Sequence, residues 1–222
     1  MKIVLMRHGT QEYEYNDQGK KLVSNPDVPL SELGKIQMDK VSERLVEEGI
    51  TLDAVYTSPY LRAKQSAEIL ANLLSIPNTN VIDGLKDDDP NSAEGRTYEE
   101  LAEIGGDIYA HPFSENQESL EHLVKRTKEA LVKILSDASE CGYNSVAIVS
   151  HGDPLSALDW NINHLDPPSD YVEMRDASYL QQAEIREYIN PYIGLSNEGN
   201  VIRVKEVDLG TEGFRDPRRE VV

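Results

Sequence analysis

Arg7-His8-Gly9, Arg62 and Ser150-His151-Gly152 are the residues of this chain whose types suit one chemistry when taken together. A neutral imidazole attacks phosphorus, and the phosphoramidate it forms is labile to water. Guanidinium groups match the peripheral oxygens of a phosphoryl group, often two at a time. A second imidazole binds a phosphoryl oxygen and stabilises the charge that develops during transfer. Singly, each residue has a plainer explanation. A histidine at a strand end is more often a turn or core residue than a catalyst, and a glycine behind it marks a turn. An arginine in the first turn of a helix is usually solvated, and it is poorly placed for the helix dipole. Jointly they point elsewhere: the net charge is −18, yet four cationic or proton-accepting groups stand at element boundaries. Such a set lacks one component, an acid to protonate a leaving alkoxide.

The elements that must position these residues alternate between strand and helix. Residues 2–6 are a continuous apolar run, read as a strand buried on both faces. From Ser31 to about Gly49, Ile36, Val41, Leu45 and Val46 recur near helical spacing, with Gly49 as the stop. Residues 53–57 form a second strand. Ser58 is then expected as N-cap and Pro59 as first helical residue of a helix to about Leu74, which places Arg62 in its first turn. Val81-Ile82 is a short third strand. An acidic, loop-rich stretch from Asp87 to Asn116 follows, with a short helix near 97–104. Over 117–138, Leu120, Leu123, Val124, Leu131, Ile134 and Leu135 share one helix face. Residues 145–150 read as a strand and 153–165 as a helix. The stretch 178–189 suits either strand or helix, and 200–209 alternates as an edge strand does. The pattern predicts an α/β fold, a three-layer αβα sandwich whose mainly parallel sheet ends in an antiparallel edge strand. We expect a single domain over 1–210 with a lid insertion around 87–116, and a polar tail at 211–222. In such sheets ligands bind outside the carboxyl ends of the strands. Arg7-His8, Ser58 to Arg62 and Ser150-His151 all fall there.

Composition narrows the partners. The 222 residues, 39% hydrophobic, are enough for one large core. No run approaches the roughly 20 apolar residues of a membrane span, and Met1-Lys2 leads straight into a strand, so neither a membrane span nor a signal peptide is expected. The one cysteine, Cys141, cannot form an internal disulfide, which suits a reducing, cytoplasmic setting. A net charge of −18 repels nucleic acids and anionic membranes. The expected partner is a small phosphorylated substrate. His111, His122 and His164 lack the clustered spacing that zinc needs, so no metal or cofactor is expected. Oligomeric state is not legible.

Four blocks in order carry a family resemblance: Arg7-His8-Gly9; Pro29-Leu30-Ser31-Glu32-Leu33-Gly34 with Gln37; Ser58-Pro59-Tyr60-Leu61-Arg62-Ala63; and Val149-Ser150-His151-Gly152. From Lys2 to about Leu165 the chain resembles the histidine phosphatase superfamily, the group of cofactor-dependent phosphoglycerate mutase and the fructose-2,6-bisphosphatase domain. The resemblance implies a phosphoglycerate mutase-like fold, a phosphohistidine intermediate on His8, and phosphoryl binding by Arg7, Arg62 and His151. It also implies an acid in the loop after the third strand, usually a glutamate in a Leu-x-Glu context. Leu85-Lys86-Asp87 occupies that place, with Thr97-Tyr98-Glu99-Glu100-Leu101 downstream at matching spacing. Asp87 is therefore the expected proton donor, and Asp88, Asp89 and Glu94 are its competitors. Asn16 is the candidate phosphate-binding amide. Thr10 is either a hydroxyl donor to phosphate or a turn residue.

Mutases of this family carry extra basic residues after the acid. Between Asp87 and Val124 this chain has Arg96 as its one arginine and no lysine, which favours the phosphatase branch. Phosphoglycerate mutase-type transfer and a non-catalytic phosphate-binding regulatory module are the alternatives. Tyr98, Tyr109, His111 and Phe113 are candidate pocket walls, with a core role equally open for Tyr98 and Phe113.

Overall fold

The apolar run after Met1 forms strand β1, Lys2–Arg7. Ile3 and Leu5 enter one core while Val4 and Met6 enter another, as the two-residue period of a strand requires. The same division runs through β2, Ala54–Thr57, and β4, Ser145–Ser150. Tyr56, Val146 and Ile148 face the first core, and Val55, Ala147 and Val149 face the second. All are fully buried, each large aliphatic side chain contributing about 1.5–3 kcal/mol. Helices α1, Glu32–Glu47, and α2, Leu61–Leu74, close the second core through Met38, Val41, Leu45, Ala67 and Leu70. Helices α4, Leu120–Glu140, and α5, Gly152–Asn163, close the first through Leu131, Ile134, Leu155 and Leu158. The result is the three-layer sandwich expected. A computed structural model describes residues 1–23, 25–87, 95–189 and 203–204 of the chain. Asp88, Asp89, Glu94 and the tail at 211–222 lie outside the described residues.

Completing the described elements are β3, Thr79–Val81, a single 3-10 turn at Asp83–Leu85, α3, Tyr98–Glu103, and α6, Tyr171–Ser178. Strands β5, Ile185–Ile189, and β6, Arg203–Val204, end the sheet. The strand order is β3-β2-β4-β1-β5-β6. Strands β1 to β4 pair in parallel, β5 runs antiparallel to β1, and β6 runs antiparallel to β5 at the edge. The ambiguous stretch 178–189 is thus resolved as strand following the end of α6. Among the described residues no helix is long and apolar enough to cross a membrane.

Two local expectations are corrected. On α1, Val41 and Leu45 are buried, but Ile36 and Val46 are exposed; Gly34, Gln37, Met38 and Ser42 complete the inward face instead. Polar Gln37 and Ser42 are drawn inward because each finds a partner, Thr10 N–H and Met38 O respectively. Helix α2 starts later than Ser58-Pro59: its N-cap is Tyr60, and Leu61 N–H is taken by Pro26 O. The Ser58 hydroxyl lies 2.8 Å from His151.

Candidate active site

The parallel register sets the site before any side chain is considered. Arg7 pairs with Ser150 and Thr57 with Val149, so β1, β2 and β4 end at the same level. Their ladders run one residue on, with His8 N–H donating to Ser150 O and Ser58 N–H to Val149 O. From β1 the chain leaves through α1 toward β2. From β4 it leaves through α5, in the opposite layer, toward β5 on the other side of β1. The two connections part between adjacent strands, which opens a crevice at the strand ends. His8 and His151 stand on its two sides, ring centroids 5.0 Å apart.

His8 Nδ1 lies 2.7 Å from Gly9 O. A carbonyl only accepts, so the proton is on Nδ1 and the lone pair on Nε2. Nε2 accepts from Arg62 Nε at 3.3 Å. His151 Nε2 lies 2.8 Å from Ser58 Oγ, which already accepts from Tyr60 N–H at 3.3 Å. The network is satisfied when the Ser58 hydroxyl donates to Nε2, which places the His151 proton on Nδ1. Among the described residues that Nδ1 is buried without a hydrogen-bond partner, 3.5 Å from Asp87 Oδ2. Burial, then the charges of Arg62, His151 and Arg7, hold the His8 pKa well below the ordinary 6.5, against the opposing bond to Gly9. Burial, then Arg62, Arg7 and Arg126, do the same for His151. Both rings are neutral at neutral pH. Where a phosphoryl group would lie they present one nitrogen lone pair, that of His8 Nε2 beside Arg62 Nε, and one N–H.

The guanidinium groups are braced from behind. Arg62 NH1 donates to Asn25 O at 2.9 Å and NH2 to Asp87 Oδ2 at 3.1 Å. Arg7 NH1 donates to Leu180 O at 3.0 Å, and its guanidinium lies over the Tyr179 ring. Tyr179 in turn abuts Gly152, where an added Cβ would fall 2.5 Å from the phenol oxygen. Arg7, His8, Arg62 and His151 are all buried. Asp87 is the described acid that touches them, through Arg62 and His151.

Pro29 to Gln37 back the loop that follows His8. Gln37 Oε1 accepts from Thr10 N–H at 2.7 Å, and Ser31 donates to Thr10 O through both N–H and hydroxyl. Gly34 packs so closely that a Cβ there would sit 2.0 Å from Thr10 O. Thr10 donates its hydroxyl to Gln182 Oε1 at 2.9 Å, as a loop residue does. Asn16 is not brought to the cradle. Its side-chain oxygen accepts from Gln18 and Lys20 N–H in an exposed turn, and none of its hydrogen bonds among the described residues reaches Arg7, His8, Arg62 or His151.

Of the candidate walls, Tyr109 donates to Asp153 Oδ2, and Tyr98 accepts from Gln11 and packs edge-on against Tyr13. Arg96 lies over Phe113, and His111 is exposed. His122 lies against Glu118 and His164 stacks on Trp160. Among the described residues no three His, Cys, Asp or Glu side chains converge as a metal ion needs. Sequence reading missed Ser58 as the partner of His151, the Tyr179–Leu180 support of Arg7, and Arg126. Ser58 stood inside a quoted block and was within reach; the others carry no local signal.

Fold and cradle together define a class: an α/β phosphoryl-handling domain with two neutral imidazoles and two guanidiniums at the ends of parallel strands. The family model of the histidine phosphatase superfamily (branch 1) matches residues 3–181, and the chain belongs to that superfamily. It is 31% identical over 192 residues to an uncharacterized phosphatase, PhoE, of Bacillus subtilis (strain 168), covering 86% of this chain and 93% of that one. It is 29% identical over 193 residues to a metal-independent phosphoserine phosphatase of Arabidopsis thaliana, covering 80% and 78% of the two chains. A mycobacterial glucosyl-3-phosphoglycerate phosphatase solved with VO3 shares the fold, with a TM-score of 0.66 at 20% identity over 84% of this chain and 90% of that one. The chain is a phosphatase.

Proposed function

We propose that this phosphatase hydrolyses small phosphomonoesters through a phosphohistidine on His8. The observation that supports it most is the His8 tautomer: Nδ1–H is anchored on Gly9 O, and the Nε2 lone pair is held beside the Arg62 guanidinium. In the first half-reaction Nε2 attacks phosphorus, the N–P bond forms and the ester P–O bond breaks. Arg7, Arg62 and His151 Nδ1–H bear the charge on the peripheral oxygens. The leaving alkoxide takes its proton from Asp87. Without substrate, Asp87 pairs with Arg62. A phosphoryl dianion that takes over Arg62 puts two negative charges side by side, a repulsion relieved when the carboxyl carries a proton. In the second half-reaction water attacks the phosphohistidine, its proton returns to the Asp87 carboxylate, the N–P bond breaks and inorganic phosphate leaves.

A monoester suits the site better than a bisphosphate. Arg96, the arginine of the 87–116 segment, is engaged by Glu100 at 2.9 Å and lies over Phe113. That segment would act as the lid of a single domain and set specificity, with Tyr109 joining it to α5 through Asp153. A phosphorylated hydroxy acid or sugar is the substrate class we favour, supported by relatives named for phosphoserine and glucosyl-3-phosphoglycerate. The single exposed Cys141 suits action in the cytoplasm.

The test is to quench the enzyme during turnover of a 32P-labelled monoester and look for acid-labile, alkali-stable label on the protein. Label on His8 that vanishes in His8→Ala is expected. Label that survives the substitution would overturn the assignment.

A further inference from the structure

Arg126 stands on the inward face of α4, and all five of its N–H donors are engaged. NH1 donates to Gly84 O at 2.9 Å and Lys86 O at 2.8 Å. NH2 donates to Asp87 O at 3.2 Å and Glu118 Oε2 at 2.7 Å, and Nε donates to Glu118 Oε1 at 2.6 Å. No donor remains for a substrate oxygen, so this arginine is not part of the phosphate cradle although its charge reaches His151. Its purpose lies in what it grips. The one carbonyl of residues 84–87 that it skips, Leu85 O, accepts from Ser150 Oγ at 2.6 Å. Four consecutive carbonyls are therefore held, three from α4 and one from the end of β4 beside His151. Gly84 lets the strap lie flat on α4, where an added Cβ would come within 2.9 Å of Ala130 Cβ.

We infer that the Arg126–Glu118 pair is a positioning device that aims the Asp87 carboxyl at the leaving group. The inference rests on the reading of Asp87 as the proton donor. Asp87 has a short side chain, so its reach is set by its backbone, and Arg126 and Ser150 hold that backbone. Arg126 is 8% exposed and the Glu118 side chain likewise 8%. Two buried charges of opposite sign add little net stability for their desolvation cost. A planar fork, however, supplies three carbonyls and a bidentate carboxylate at once, which a lysine cannot do. A salt bridge kept only for stability would have no need to commit three of its donors to the strap behind the acid.

The test compares leaving groups, because a phenolate with a low pKa needs little protonation and an alkoxide needs it fully. Arg126→Lys, Arg126→Ala and Glu118→Gln would be assayed on glycerol 2-phosphate and p-nitrophenyl phosphate, alone and combined with Asp87→Asn. For the single variants, kcat/KM, which reports the phosphorylation half-reaction alone, should fall about 10–100-fold on the alkyl ester and by no more than about threefold on the aryl ester. The alkyl loss should disappear in the Asp87→Asn background, and free guanidinium should restore part of it in Arg126→Ala. Equal losses on both esters, or a loss that persists without Asp87, would overturn the clamp. If Arg126→Ala does not fold, the milder Arg126→Lys and Glu118→Gln substitutions decide the same comparison. Should Asp87→Asn itself treat the two esters alike, the Asp87 reading falls and the clamp with it. A leaving-group bias in Asp87→Asn with none in the Arg126 and Glu118 variants overturns the clamp alone.

Discussion

At the scale of single residues, the site depends on imidazoles kept neutral inside a positive cradle. In the folded chain both His8 and His151 have pKa values below the ordinary 6.5, while in the unfolded chain they titrate near about 6.5. Between the folded and unfolded values the unfolded chain binds more protons, so stability rises with pH across that window. The contribution is complete above about 6.5 and is lost as pH falls through the folded values. The urea midpoint should therefore drop from about pH 7.5 to about pH 5, with a shallower fall in His8→Asn; an unchanged slope would remove His8 from the account. Saturating phosphate should flatten the wild-type fall, because a bound dianion favours the protonated rings. Asp87→Asn should lower kcat on alkyl phosphates about 10²–10⁴-fold with little change in KM, read by steady-state kinetics.

At the scale of elements, the first turn of α1 and the loop after β1 form one unit. Gly34 meets Thr10 O, and Gly9 meets Gly34 O with an added Cβ at 2.5 Å. Neither contact is with the end of a flexible side chain, so the backbone itself must move to admit a methyl group. Gly34→Ala should cost about 1–3 kcal/mol in a urea titration and lower kcat, because the displaced loop carries the carbonyl that fixes the His8 tautomer. A stable and fully active Gly34→Ala would show the loop to be adaptable. Helix α3 has a complete capping box, Thr97 with Glu100, and Thr97→Ala should cost about 1 kcal/mol. Its effect on turnover reads whether α3 belongs to the lid.

At the scale of the molecule, two cores flank one sheet, and the site sits at neither. Leu131, buried between α4 and the sheet, should show this separation. Leu131→Ala should cost about 2–5 kcal/mol and lower the denaturation midpoint while leaving kcat at room temperature unchanged. Loss of kcat in proportion to stability would mean that the core and the crevice are coupled.

The four blocks, the alternation of elements and the strand-end rule were legible in the chain, because each is a local pattern. Apolar periodicity marks a strand or helix within its own few residues, and the residues of a strand end follow the strand directly. That was enough to place His8, Arg7, Arg62 and His151 together and to expect the layered α/β fold. Local pattern erred where a partner from elsewhere decided the outcome. Ile36 has the periodicity of a core residue and Gln37 does not, yet Thr10 N–H makes Gln37 the better one to bury. Ser58 has the signature of an N-cap, but His151 lies against its hydroxyl and the helix starts at Leu61. Arg126, set among Lys125 and Lys128, reads as one more solvated cation. Only the packing of α4 against the 84–87 strap turns it inward, since a guanidinium goes inside only when every donor finds an acceptor, and its acceptors on the strap lie some forty positions away in the chain. The sequence alone thus determined which groups meet at the strand ends; the tertiary structure decided which groups hold them in place.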